Sequence, residues 1–326
     1  MSTLEADIFN PKNDVPVAPK ISIVVVSWNN QRYVELCLQH LAAQSLQEFE
    51  IIWVDNASTD DTLALLTTCG RSYNLPIQLL KNAANMGFAV ANNRGIAASH
   101  APLILLLNTD AFLPPLFLAA LLEQAEYNPD YGSYAPKIVR EQDHKIIDST
   151  GLFVTRGGKS HDRGFDELDS GQYGRNEPVF APCGAIALFR RAALERVKWG
   201  ADEYFDANFF LYYEDTDLGW RLQRAGYKCL YVANVVGYHV RGGSVGRKVN
   251  FFEKSLVLQR HTIKNRYLML LKNLSLGQLV LWLPWLLLFE IKMWGYISLR
   301  QPHLASVVLE VWQLRRQTGQ KRKLPI

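Results

Sequence analysis

No two of the four cysteines in this 326-residue chain are spaced as CxxC; Cys37, Cys69, Cys183 and Cys229 are scattered. That excludes a thiolate zinc site and predicts reduced thiols in a cytosolic setting. The N-terminus lacks a basic start followed by an apolar core, so no signal segment is expected. The longest nearly uncharged apolar run, Leu279 to Phe289, has eleven residues. A bilayer crossing needs roughly 20, so the run predicts no membrane span. There is neither GxGxxG after the first strand nor GxxxxGK followed by Ser or Thr. A Rossmann dehydrogenase and a P-loop protein therefore lose their main support.

What the chain does have is the 48% hydrophobic and 20% charged content of a folded globular protein. Its length suits one large α/β domain with appendages or two modest domains. The net charge of +4 is unevenly placed. From Arg260 onward eleven Lys/Arg face only Glu290 and Glu310, a balance of +9, so the preceding part carries −5.

Residues 1 to about 19 hold Pro11, Pro16 and Pro19 among polar residues and read as a flexible leader. Ile21 to Val26 is a β-branched run that ends in Ser27-Trp28-Asn29-Asn30 and is followed by helical spacing from Tyr33 to Leu41. The plan repeats: Glu50 to Val54, then Asp55-Asn56-Ala57-Ser58-Thr59-Asp60, then an apolar helix from Leu63. A third strand, Ile77 to Leu80, leads into Asn82 to Gly95. The small residues there, with Asn85, Gly87 and Asn93, suit a backbone that comes close to a polar ligand. The fourth strand, Leu103 to Leu107, is five aliphatics in a row, the pattern of a strand buried on both faces. It ends in Asn108-Thr109-Asp110. This alternation predicts a doubly wound, mostly parallel sheet. Ligands of such sheets bind at the carboxyl ends of strands, which places Asp110 to hold a hard cation against a phosphate. The bland alternative is that Asn108 to Asp110 is an ordinary turn. Ser27, Asn29, Asp55 and Asn93 are the side chains at strand ends that could grip a nucleotide.

Beyond Asp110 a helix is expected from Leu116 to about Tyr127 and a strand from Tyr134 to Val139. Residues 148 to 178 carry six glycines among charged residues that include Arg163, the composition of a mobile loop region. Val179 to Phe189 reads as an apolar strand broken at Pro182 and Gly184. Phe205 to Tyr213 is an aromatic-rich run that precedes Glu214-Asp215-Thr216-Asp217 and a helix containing Trp220. Asp215 could simply cap that helix. Beside an aromatic wall, however, a carboxylate is partly desolvated, and that makes it a better base. His239 ends a β-run and precedes the Gly-rich basic stretch Arg241 to Arg247, which leaves it either structural or a ligand.

Together these residues resemble glycosyltransferase family 2, with the GT-A fold, and most closely its rhamnosyltransferase-like members. The likeness runs from Ile21 to about Arg247. Ile23 to Asn29 is similar to the family's first strand and nucleotide loop, Asp55 to Asp60 to its base-contacting segment, and Asn85-Met86-Gly87-Phe88-Ala89 with Asn92-Asn93 to a segment of the rhamnosyltransferases. Asn108-Thr109-Asp110 stands where the family has DxD, which makes Asp110 the main metal carboxylate. Glu214-Asp215 matches the ED motif, whose Asp is the base, and His239 matches a histidine that helps hold the metal in some members. The QxxRW motif of processive polymerases is absent, which implies transfer of one sugar or few.

The resemblance implies an inverting transfer of a deoxyhexose such as L-rhamnose from a dTDP- or UDP-linked donor to a glycan on a polyprenyl lipid. It also implies Mg2+ or Mn2+ at Asp110 and His239 and donor contacts from Ser27, Asn29, Asp55, Asn85, Gly87, Asn93, Asn108 and Asp110. Arg163, Gly184, Ala185 and Trp220 are the candidates for contacting the acceptor. No nucleic-acid partner is expected. The alternative is a catalytically silent nucleotide-sugar-binding scaffold of the same fold.

The expected organisation is a leader at 1–19, a catalytic domain at 20–250 with a donor half (about 20–112) and an acceptor half (about 113–250), and a helical extension at 251–326. Trp282, Trp285 and Trp294 flank aliphatics near basic residues in that extension. This suits peripheral attachment to the inner face of the cell membrane, although a helical cap or an oligomer contact has the same composition.

Overall fold

The structure, a computed structural model, describes residues 7–9, 18–241 and 251–323. Pro11 and Pro16 of the leader and the stretch Gly242 to Arg247 lie outside the described residues. The leader is not wholly loose: β1 (Asp7–Phe9) adds an antiparallel edge strand.

The alternating first half folds as its pattern predicts. Strands β2 (Ile21–Ser27), β3 (Phe49–Asp55), β4 (Ile77–Lys81) and β5 (Leu103–Asn108) are parallel, in the spatial order β4-β3-β2-β5. Ile23, Val25, Leu105 and Leu107 enter the core on one face, and Val24, Ile104 and Leu106 the core on the other. Each such side chain contributes about 1.5–3 kcal/mol by leaving water, which is why these runs hold no polar alternation. Helix α1 (Gln31–Ala42) buries Val34, Cys37, Leu38 and Leu41, one apolar stripe at helical spacing. Helix α2 (Thr62–Ser72) packs beside it.

The small residues after β4 serve packing more than ligand approach. They form α3 (Gly87–Ala97), and a Cβ on Gly95 would lie 2.4 Å from Val24 Cγ1. Only glycine lets this helix sit so close to the sheet. The strand order reverses between β2 and β5, so the carboxyl ends that carry Ser27 and Asn108 flank the crevice where such sheets bind ligands.

The second half extends the sheet with mixed pairing. It comprises β6 (Ala111–Phe112), α4 (Phe117–Tyr127), β7 (Tyr131–Arg140), β8 (Ile147–Ser149), β9 (Leu152–Val154), β10 (Ser160–Asp162), β11 (Glu177–Val179), β12 (Ile186–Arg190), α5 (Arg191–Val197), α6 (Glu214–Arg224) and β13 (Lys228–His239). From β5 the order continues β12-β7-β13-β11, with β12 antiparallel to β5. Strand β13 shifts register against β7 between Val232 and Val236, and its end pairs with β6 so that His239 stands opposite Ala111. That pairing brings His239 beside Asp110. The Gly-rich region is built rather than open: β9 and β10 form a hairpin that packs on α6.

The extension is helical: α7 (Leu256–Asn273), α8 (Leu276–Arg300) and α9 (Val307–Lys321). Helix α8 corrects the eleven-residue limit read from the sequence. It has 25 residues, is long and apolar enough by length and composition to cross a membrane, and has only 6% of its most apolar window buried. Glu290 and Lys292 interrupt the apolar run without ending the helix, because the Glu290 carboxylate is met by Arg266 and Tyr267.

Candidate active site

Three strand ends and one helix start converge at the carboxyl edge of the sheet. Asp55, at the end of β3, is buried. Its carboxylate accepts from Ser27 Oγ (3.1 Å) and from the Ser58 backbone N–H (3.0 Å). Ser27 in turn accepts from Trp53 Nε1 (2.9 Å). Ser27 is thus wholly buried and acts on the site by fixing Asp55. Asn29 ties the first loop to the second: its backbone N–H donates to Ser58 Oγ, and its Oδ1 accepts from Thr59 N–H (2.8 Å).

Asn56, part of the Asp55 to Asp60 segment but not among the residues named singly as donor contacts, organises the third loop. Its amide donates to Asn85 Oδ1 (2.8 Å) and accepts from Met86 N–H (3.0 Å). Gly87 adopts φ +78°, and a Cβ there would meet Phe210 O at 2.5 Å, so this position accepts only glycine. Asn93 is a correction. Both ends of its buried amide are bonded to the Phe205 backbone, at 2.7 and 2.6 Å, so its role here is to clamp the loop before α6.

Asp110 and His239 face each other, with Oδ1 3.3 Å from Nε2. The other ring nitrogen, Nδ1, lies 2.9 Å from Asp148 Oδ2, and Asp148 is wholly buried. Burial works against a charged imidazole, but the two carboxylates outweigh it and hold His239 up at about 9. Asp148 is held below the usual carboxylate range: burial opposes this, and His239 and Arg241 prevail. From Asp148 the chain of charge continues through Arg241 (2.5 Å) to Asp162 (2.6 Å).

The Asp110 carboxylate fits a divalent cation that completes its shell with substrate oxygens, and His239 would join it in the neutral form, giving up at Nε2 the proton it shares with Asp110 in this structure. The Asp148–His239 bond is the outer-shell contact that fixes a ligating imidazole. Among the described residues no group of three or more His, Cys, Asp or Glu converges as an all-protein cage. Asn108 shows a backbone role, its N–H donating to Ala185 O at 2.9 Å.

Asp215 lies in the first turn of α6. Its Oδ1 accepts from the Thr216 N–H and hydroxyl, and its Oδ2 accepts from Gly184 N–H at 3.2 Å. One peptide step therefore joins the two halves of the site, since Gly184 touches Asp215 while Ala185 holds Asn108. Burial first, and then the charge of Asp162, pushes the Asp215 carboxyl up, against the bonds from Gly184 and Thr216. Glu214 is also pushed up, by burial and by Asp215.

The turn that presents this pair is strained: Tyr212 and Tyr213 both have left-handed φ, 74° and 70°. Asn265 of α7 holds it from outside, its Nδ2 donating to Leu211 O (2.9 Å) and Tyr212 O (2.8 Å). Nothing local in the sequence marks Asn265, because its partners lie more than fifty residues away.

Two expected acceptor residues are elsewhere. Arg163 is stacked between the rings of Tyr173 and Tyr231 and paired with Glu177. Its neighbour Asp162, the last residue of β10, is the one that pairs with Arg241 and acts on Asp215. Trp220 is buried against Phe180 and Trp282.

The pattern of Glycosyl transferase family 2 matches residues 22–198. An N-acetylglucosaminyl-diphospho-decaprenol L-rhamnosyltransferase of Mycobacterium tuberculosis is 28% identical over 249 residues, which cover 70% of this chain and 78% of that protein. A protein of the same organism described only as uncharacterized is 30% identical over 202 residues; the match covers 60% of this chain and 62% of the relative's length. Among solved structures, S. aureus TarS 1-349 superposes with a TM-score of 0.55 at 16% identity, covering 94% of this chain and 81% of that one. A Pyrobaculum calidifontis mannosyltransferase crystallised with GDP-Man and Mn2+ gives 0.52 at 16% identity, covering 94% and 84%. With the family pattern over more than half of its length and a GT-A sheet beneath it, this chain belongs to glycosyltransferase family 2 and is a glycosyltransferase.

Proposed function

We infer that this enzyme moves one sugar, a deoxyhexose of the L-rhamnose class, from a dTDP- or UDP-linked donor to a glycan carried on a polyprenyl diphosphate, with inversion. The observation that carries the reading is the Gly184–Ala185 step, which sets a carboxylate of raised proton affinity beside the strand end that bears Asp110. Asp110 and His239 would hold Mg2+ or Mn2+, which neutralises charge developing on the leaving diphosphate. Asp55 and the Asn56–Asn85 loop shape the nucleotide side. Asp215 takes the proton of the acceptor hydroxyl as that hydroxyl attacks the far face of the sugar. The rhamnosyltransferase relative supports both donor and acceptor class. The test is a transfer assay with a panel of nucleotide sugars and a prenyl-diphosphate acceptor, with Mn2+ and with EDTA. Metal-dependent turnover of one donor is expected; donor binding without turnover of any donor would leave only the scaffold reading.

The pH dependence follows from the site. Asp215 works deprotonated, and its proton affinity is raised, so kcat should fall with decreasing pH on a limb above the ordinary Asp value of about 4. Asp162→Asn removes a negative charge that favours the protonated form and should move that limb downward. An unmoved limb in the pH–rate profile would contradict the assignment.

Asn265→Leu keeps the branched outline of the side chain but drops both bonds to the strained turn. It is expected to lower kcat by up to about 100-fold, the scale of a small misplacement of a reacting group. Donor affinity, measured by calorimetry, should not change.

Helices α8 and α9 leave Leu276, Val280, Leu281, Ile291, Leu309 and Trp312 exposed. Helix α8 is packed on the protein through Trp282 against Trp220 and through Trp294 donating to Tyr267 and Glu290. A helix tied to the protein at Trp282, Glu290 and Trp294 suits lying in the surface of an anionic membrane better than crossing it. Of the three tryptophans expected to anchor, only Trp285 is largely exposed, so Trp282 and Trp294 are packing residues. Leu281→Ser/Ile291→Ser/Trp312→Ser should release the protein from anionic vesicles in a flotation assay while its melting temperature holds. Retention on the vesicles would contradict the membrane reading.

A further inference from the structure

The β9–β10 hairpin runs from the exposed helices to the base. Its stem enters the site: Ser160 Oγ lies 2.6 Å from Thr216 Oγ1, next to Asp215, and Asp162 acts electrostatically on Asp215. Its tip rests on α8, where the Arg156 guanidinium lies 4.6 Å from the Trp285 ring and Lys159 Nζ 5.5 Å from the Phe289 ring. The tip is fixed from below. Arg266, itself almost wholly buried, donates to Gly157 O through Nε (3.2 Å) and Nη2 (2.6 Å). Gly158 has φ +75°, and a Cβ there would meet Leu270 Cδ1 at 2.8 Å. Both cations of the tip are exposed. The rings beneath them belong to the helix that carries the exposed aliphatics.

We propose that Arg156 and Lys159 form the binding site for the diphosphate of the lipid acceptor, at the level of the membrane surface. This rests on the lipid-linked acceptor reading above and names where this chain grips that acceptor. The chemistry matches. A diphosphate is a doubly anionic group at the boundary between an apolar tail and a polar glycan, and the tip offers two cations at the edge of an apolar face. Guanidinium and ammonium groups bind phosphate oxygens through charge-assisted hydrogen bonds. The reach matches as well. Lys159 directly precedes β10, whose Ser160 touches Thr216 beside Asp215 and whose Asp162 acts on Asp215, so the tip lies within about 10 Å of extended chain of the base's neighbours, the length of a sugar or two. A lipid whose diphosphate sits at the tip therefore presents its sugar to Asp215 without leaving the membrane.

The experiment compares the wild-type chain with Arg156→Ala/Lys159→Ala on two acceptors bearing the same sugar. One is N-acetylglucosamine on a short prenyl diphosphate, the other the same sugar on a neutral alkyl linker. The variant should raise KM for the diphosphate acceptor by about 10-fold or more, the worth of one or more hydrogen bonds to a charged group. Donor affinity, kcat and KM for the neutral acceptor should not move. An equal change on both acceptors, or none on either, overturns the site. A loss confined to binding of anionic vesicles without acceptor also overturns it, and makes the pair a general membrane contact. If the wild-type enzyme uses no prenyl-diphosphate acceptor at all, the reading on which the site rests fails with it. That outcome is seen before any variant is measured.

Discussion

Asp215→Asn is expected to bind donor as the wild type does and to lose transfer by about 10²–10⁴-fold, the usual worth of one general base. The amide keeps the side chain's shape and can keep the bonds in which its oxygen accepts from Gly184 N–H or from Thr216. What it loses is the lone pair that takes a proton. The adjacent carboxyl, Glu214, is poorly suited to replace it. Glu214 is itself buried, pushed toward its protonated form, and left with one oxygen that has no hydrogen-bond partner. Calorimetric donor binding together with steady-state transfer checks the prediction, and turnover near the wild-type rate would remove Asp215 from its role.

The second large effect is on stability. Lys272 of α7 is wholly buried between Asp206 and Asp217, and Asp217 also pairs with Arg221 at 3.0 Å and accepts from Asn273 at 2.7 Å. Lys321 of α9 reaches the same Asp206. Lys272→Met keeps the stem and removes the charge, leaving Asp206 to Lys321 and Asp217 to Arg221, each buried carboxylate short of one partner. Breaking a buried pair from one side costs about 3–5 kcal/mol, so denaturant unfolding should show a loss of that order. Burial works against ionisation of Asp206, but Lys272 and Lys321 outweigh it and hold its carboxyl below the usual range. Its contribution is therefore complete above an unfolded value of about 4 and is lost only as pH falls through the lowered one. A loss within 1 kcal/mol would show that the extension is an appendage rather than part of the catalytic fold.

That network bears on what was legible in the sequence. The strand ends were legible, since Leu103 to Leu107 has the unbroken apolar run of a strand covered on both faces, and the acid at its end stands out because nothing in the core needs it. Asp215 was legible for the same reason, a carboxylate cluster behind an aromatic run. Asp148 was not. It is one acid in a Gly-rich stretch, and only the pairing of β13 with β6 and β7 brings His239 to it. Arg163 and Asp162 differ by one residue, but Asp162 ends β10 and Arg163 begins the turn after it; composition names the loop but not where its strand stops. Asn93 looked like a ligand group because its packing partner, the Phe205 backbone, is 112 residues away. Helix α8 was undercounted because charge was taken to end an apolar run, whereas Glu290 finds Arg266 only in the folded chain.

The central claim is a single displacement, with Asp215 deprotonating the acceptor on the face opposite the departing nucleotide. The most direct measurement is the anomeric configuration of the product, read by NMR after the purified enzyme has used a nucleotide sugar of known anomer and a prenyl-diphosphate acceptor. The account predicts that the new glycosidic bond has the anomeric configuration opposite to that of the donor; a product with the donor's configuration would contradict it.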